Sequence, residues 1–244
     1  MKSKPTFRFL KHCFFTLITV SACADISYAQ TTRTWVGGGL PATDMDIAAN
    51  WSPSGVPVTT APGDTAQWDG TVAGPLSLTY TAAGTGASMS AAGSGIHFNI
   101  TSTQVSPLTI NCFSGTQGVR IQNFTVASSA GAVTLGGLVG ADNFNLGNGT
   151  VVNHVFTNNS ANPVTFQSDV SFSAGNAATH TLNLTGPGNW NINCSLIRAG
   201  SGTINVVKDG GGTLNLGTAN SAETPRSPSL PARLTIPMAR ESHW

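Results

Sequence analysis

Residues 180–220 read HTLNLTGPGNWNINCSLIRAGSGTINVVKDGGGTLNLGTAN. Four runs inside this stretch, beginning at His180, Asn189, Thr203 and Thr213, alternate apolar with polar residues. Period two is the mark of a strand with one face buried. Asn183, Asn193, Asn205 and Asn215 each stand between apolar neighbours, at intervals of 10, 12 and 10 residues, so alternate ones lie 22 apart. A solenoid repeat takes roughly that much chain, and stacked coils align like side chains in ladders. The expected fold is therefore all-β, a right-handed parallel β-helix in which Asn183 stacks on Asn205 and Asn193 on Asn215.

The pattern extends upstream. LSLTY from Leu76, IHFNI from Ile96, PLTIN from Pro107, VRIQNFTV from Val119, AVTLG from Ala132 and NFNLG from Asn143 alternate in the same way. So do VVNHVF from Val151, PVTFQ from Pro163 and VSFSA from Val170. No sustained 3.6-residue apolar stripe interrupts them. A β-sandwich is the alternative, since it too strings short strands between turn signals, but the Cys…Trp…Cys spacing of an immunoglobulin-like core is absent. Residues 76–220 are assigned to the β-helix. Residues 30–75 hold Trp35, Trp51 and Trp68 and four acids with few clean strands, and are read as a cap over the first coil, whose open edge otherwise invites aggregation. Residues 221–244 carry four prolines and no alternation. Proline cannot continue a ladder, so this tail is read either as disordered or as sequence outside the original reading frame.

The N-terminus has the layout of an export signal. Lys2, Lys4, Arg8 and Lys11 precede an apolar run from Cys13 to Val20, and Ser27-Tyr28-Ala29 offers a small-x-Ala cleavage site before Gln30. The run is too short to span a bilayer, so residues 1–29 are read as a signal peptide and the chain as secreted or surface-bound. Val20-Ser21-Ala22-Cys23 also resembles a lipoprotein lipobox, which makes Cys23 the alternative processing and lipidation site, with a membrane anchor as the consequence. Charged residues are 9% of the chain, against about a quarter in ordinary domains. Residues 1–29 hold four of the 11 basic and one of the 10 acidic side chains, leaving seven and nine, with Lys208 the one lysine. No basic surface remains for nucleic acid. Cys112 and Cys194 remain after processing, either as a bridge or as two buried thiols.

Val207-Lys208-Asp209-Gly210-Gly211-Gly212-Thr213-Leu214-Asn215-Leu216, closing with Gly217-Thr218-Ala219-Asn220, resembles the autotransporter-associated β-strand repeat, of pattern V-x-K-x-G-x-G-T-L-x-L-x-G-x-N-x-Y-x-G, and departs from it after Asn220, where Ala222-Glu223 stands in place of the Tyr-x-Gly. Lys208, Gly210, Gly212, Thr213, Leu214, Leu216 and Asn220 carry the match, with the glycine of the G-x-N one place early. Trp35-Val36-Gly37, Asn50-Trp51 and Pro62-Gly63-Asp64-Thr65-Ala66 resemble the opening of bacterial surface proteins with such repeats. The resemblance implies an exported β-helical passenger, and a translocating barrel or sorting element that these 244 residues do not contain. Glycans or neighbouring cell surfaces are the partners expected for its Thr- and Asn-rich faces.

An enzyme is the competing reading, since β-helices also carry polysaccharide lyases and hydrolases. Such sites need paired carboxylates or an activated base. Downstream of residue 75 the ordered part offers Asp142, Asp169 and Asp209 with Arg120, Arg198 and Lys208. Their spacings fit no constant coil, so no catalytic, cofactor or metal site is assigned. Asp44 and Asp46 are expected as an exposed pair. Gly136–Asp142 is one residue too long for a calcium-binding glycine nonapeptide. His97, His154 and His180 have no metal-ligand spacing and are expected to face solvent. Seven Asn-x-Ser/Thr sequons, at Asn50, Asn99, Asn123, Asn148, Asn158, Asn183 and Asn193, are read as ladder residues.

Overall fold

The computed structural model describes residues 29–81, 89–112, 118–137, 142–147, 152–167, 170–174, 179–197 and 203–217. Within them lie β1 (Thr32–Trp35), β2 (Trp51–Ser52), β3 (Thr65–Trp68), β4 (Leu76–Tyr80), β5 (Ile96–Ile100) and β6 (Leu108–Cys112). There follow β7 (Val119–Val126), β8 (Val133–Leu135), β9 (Asp142–Leu146), β10 (Asn153–Asn158), β11 (Val164–Phe166) and β12 (Val170–Ala174). The last are β13 (Thr179–Thr185), β14 (Trp190–Ile192), β15 (Ser195–Ile197), β16 (Thr203–Lys208) and β17 (Leu214–Leu216). A single 3-10 turn, Ala48–Asn50, accompanies them.

The strands wind into a parallel β-solenoid. One wall is the six-stranded sheet β4-β6-β8-β11-β14-β17, and the other is an 11-stranded sheet holding the rest. Apart from β2, each strand is hydrogen-bonded in parallel to its counterpart one coil away, as in Leu76 opposite Leu108, Leu108 opposite Val133 and Val133 opposite Val164. All the alternating runs read from the sequence are strands, and the sandwich alternative is set aside.

The coil changes shape part-way. β7 is eight residues long, and its first half, Val119–Ile121, pairs with β9, while Phe124–Val126 pairs with β10. Gln122 falls between, at the register shift where Ile96 faces Ile121 but His97 faces Asn123. An extra residue bends a strand, and from here each coil lays two strands in the large sheet instead of one.

Inward residues form a continuous core. Trp35, Trp51, Trp68, Phe98, Phe124, Phe156 and Trp190 make a line of aromatic contacts with neighbouring ring centroids 5.0 to 6.4 Å apart. Few aromatics are needed because parallel stacking puts each against the next. The cap is continuous with this core. β1 and β3 pair in parallel as the first rungs of the large sheet, and β2 closes β1 antiparallel. Asp64, 5% exposed, binds the cap together by accepting from the Thr31 and Val58 amides (both 3.1 Å) and from Arg33 Nε (3.0 Å). Asp64→Ala is expected to cost about 2–4 kcal/mol, since three donors lose a charged acceptor, and a thermal melt of the variant reads it directly.

Candidate functional site

The KDGGG stretch is the corner between β16 and β17. Its lysine folds back, Lys208 Nζ donating to the carbonyls of Asp209 (2.8 Å) and Gly210 (3.0 Å). Burial lowers the Lys208 pKa, opposed by the neighbouring Asp209 charge. Gly210, at φ +86°, lies over Gly186 of the preceding coil, so close that a Cβ would stand 2.6 Å from the Gly186 carbonyl oxygen. Gly212 lies over Gly188 in the same way, while nothing approaches Gly211 within 4 Å. Thr213 bonds the preceding coil through its amide and hydroxyl, both donating to Asn189 Oδ1 (2.9 Å). Leu214 packs on the core, whereas Leu216 is 44% exposed. The motif residues are thus a stacking corner, not a reactive cluster. Asn220 and Cys23 lie outside the described residues.

The corner repeats. Asn158, fully buried, occupies the equivalent place one coil before Gly186, its amide donating to the carbonyls of Asn162 and Asn189 (both 3.0 Å). Its Oδ1 accepts from the Ser160 amide (3.0 Å), and Ser160 Oγ reaches back to the Ala130 carbonyl (2.6 Å).

The expected asparagine ladder takes another register. Asn183 lies opposite Val207, and Asn205 opposite Thr181, so these two asparagines occupy adjacent columns. Asn215 sits over Asn191 rather than Asn193, its Nδ2 donating to Asn191 Oδ1 (2.8 Å), 24 residues away. The coil closes in 24 residues, not 22, because the glycine corners must stack as well as the strands. Outer polar columns nevertheless exist. On the large sheet Gln67 Nε2 donates to Thr34 Oγ1 (3.2 Å), Asn99 Nδ2 to Gln67 Oε1 (2.9 Å), and Thr157 and Thr185 share a hydroxyl bond (2.8 Å).

Two of the three histidines depart from expectation. His97 is half-buried on the outer face, accepting from Asn123 Nδ2 at Nδ1 (3.1 Å). His154 and His180 are fully buried, with rings stacked at 5.1 Å. His154 Nδ1 donates to the Gln122 carbonyl (3.0 Å), which leaves its Nε2 to accept from His180 Nδ1 (2.9 Å). Burial drives the His154 pKa down to about 4, and the His180 pKa down as well. Alternation alone did not place them, because it fixes two faces without saying which is inward.

The remaining candidates resolve as follows. Asp44 and Asp46 are each 7% exposed rather than an exposed pair; Asp44 accepts from the Asp46 amide (2.9 Å) and from Thr81 Oγ1 (2.7 Å), which makes it a turn clamp. Asp142 in β9 pairs with Val170 in β12, and Asp209 stands at the glycine corner accepting from the Gly210 amide (2.8 Å). Asp169, Arg198 and Asn148 fall outside the described residues, as does the middle of the Gly136–Asp142 loop. Arg120 is half-buried, its Nε donating to the Ser90 carbonyl (2.9 Å) and its pKa lowered by burial. Cys112 and Cys194 are both buried, and neither forms a disulfide. Among the described residues no three His, Cys, Asp or Glu side chains converge as metal ligands, and no helix is long and apolar enough to cross a membrane. Of the sequons, Asn50 and Asn158 are fully buried, while Asn99 and Asn123 take part in the outer ladders. No family model, curated protein or solved structure matches the chain.

Proposed function

We propose that the chain is an exported, passenger-type surface protein that acts through shape and adhesion and catalyses no reaction. The observation that carries this reading is the register: uncharged polar side chains stack rung upon rung outside, over a core of aligned rings. A parallel solenoid transmits little flexibility along its axis, since each coil is bonded to both neighbours. The leader in residues 1–29 supports export, and the repeat resemblance of Val207–Asn220 supports the passenger class. The structural engagement of Asp44, Asp64 and Asp209 supports a role without acid–base chemistry.

Expression of the full chain in a bacterial host, followed by fractionation and mass measurement of the mature N-terminus, tests this. The expected product begins at Gln30, lies outside the cytoplasmic membrane and keeps a protease-resistant core. An N-terminus at acylated Cys23 would make it a membrane-anchored lipoprotein instead. An uncleaved chain in the cytoplasm would end the reading.

A further inference from the structure

The outer face of the six-stranded sheet carries two columns in register. One runs Ser77, Thr109, Thr134, Thr165, Asn191, Asn215. The other lies two residues upstream on each strand and runs Pro75, Pro107, Ala132, Pro163, Asn189, Thr213, with consecutive rungs joined through backbone bonds at the strand starts. Every member is exposed or half-buried. The first four rungs therefore set a hydroxyl column beside a column of proline and alanine carbons. Among the described residues the side chains of Ser77, Thr109 and Thr134 have no hydrogen-bond partner. Further along, Asn191 Nδ2 donates to Thr165 Oγ1 (3.2 Å) and Asn215 Nδ2 to Asn191 Oδ1 (2.8 Å). On the large sheet Gln67, Asn99 and Asn123 donate to Thr34, Gln67 and His97.

Charge is missing from this strip. The charged side chains placed by the structure are Arg33, Asp44, Asp46, Asp64 and Asp69 in the cap, Arg120 on the large sheet, and Lys208 and Asp209 at the last corner. Rungs spaced by about 4.8 Å make the six-rung strip roughly 24 Å long and about 10 Å wide. That footprint is far below the ~800 Å² per partner of a stable protein interface, so a second copy or a folded partner is poorly served. A thin polymer is well served.

We infer that this strip is a binding surface for a neutral polysaccharide laid along the solenoid axis. Pyranose chains present C–H faces flanked by hydroxyls, the same two kinds of group that the strip offers side by side. An anionic polymer would lose its hydration without gaining a cation. The inference rests on the reading of the chain as an adhesive surface rod and names the partner of its ladder face.

Co-sedimentation of the full chain with insoluble cellulose and chitin, and retention on immobilised alginate, at low and at high salt, tests it. Binding to a neutral polymer, unchanged by salt, is expected. Thr134→Lys and Thr165→Lys should each weaken it at least about tenfold by forcing a solvated charge into the contact. Thr181→Lys on the other sheet should leave it intact, and circular dichroism checks that all three variants keep their fold. Binding that ignores the face variants, binding confined to alginate and lost in salt, or no binding to either neutral polymer would each overturn the inference. A chain found at the cell surface that binds neither neutral polymer removes this assignment and leaves the display reading standing.

Discussion

Gly186→Val is expected to cost about 4 kcal/mol or more, enough to unfold the C-terminal coils of a domain of ordinary stability. Gly186 has φ +88°, a left-handed conformation that costs a side-chain-bearing residue roughly 1–2 kcal/mol before any contact is counted. A Cβ there would also stand 2.8 Å from the carbonyl carbon of Asn158. Asn158 cannot yield cheaply: it is fully buried and its amide holds the carbonyls of Asn162 and Asn189. Displacing it breaks both bonds and leaves the buried Asn158 amide without its acceptors. Gly211→Val supplies the contrast, since nothing lies within 4 Å of that position, and its effect should stay within about 0.5 kcal/mol. Urea midpoints of the two variants decide the matter. Equal effects would mean that the glycine-rich corner is merely loose chain, and the stacking account of the KDGGG stretch would fall.

The same corner explains how far the sequence could be read. Alternation located the strands because each needs only one apolar face, a property local to five or six residues. Register is not local. The rung-to-rung distance is 32 residues between Leu76 and Leu108, 25 between Leu108 and Val133, and 24 between Trp190 and Leu214, so no fixed period aligns the coils. Asn183 and Asn205 suggested 22 by coincidence of composition. A better signal was present. Pro75-Leu-Ser-Leu, Pro107-Leu-Thr-Ile, Ala132-Val-Thr-Leu, Pro163-Val-Thr-Phe, Asn189-Trp-Asn-Ile and Thr213-Leu-Asn-Leu are one motif written six times, and each copy is a rung of the smaller sheet. Only the last resembled a known repeat, since only there does a lysine lead into three successive glycines. The coil before it turns on Gly186 and Gly188, and the one before that builds the corner with the side-chain bonds of Asn158 and Ser160. The polysaccharide strip was illegible for the same reason: its columns exist only once the unequal coils are brought into register.

Acidification should loosen the coils around β10 and β13. In the unfolded chain His154 titrates at its ordinary 6.5, and in the fold at about 4. Above 6.5 the imidazole is neutral in both states and the fold keeps its full stability. Between 6.5 and about 4 only the unfolded chain takes up the proton, so stability falls as the pH drops through that window, by roughly 3 kcal/mol at its lower end. The cause is structural. With Nδ1 donating to the Gln122 carbonyl, a proton can enter His154 only at Nε2, where His180 already donates. A cation there would be buried, 0% exposed, against a second ring whose own pKa burial lowers. His154→Leu combined with His180→Leu removes both titrating groups and fills the space with apolar atoms. The urea midpoint of the native chain is expected to fall steeply from pH 7 to pH 4.5, and that of the double variant to stay nearly flat apart from the carboxylates common to both. A native midpoint that does not move across this range would mean that the folded imidazoles take up protons as readily as the unfolded ones, and the buried neutral pair would fall.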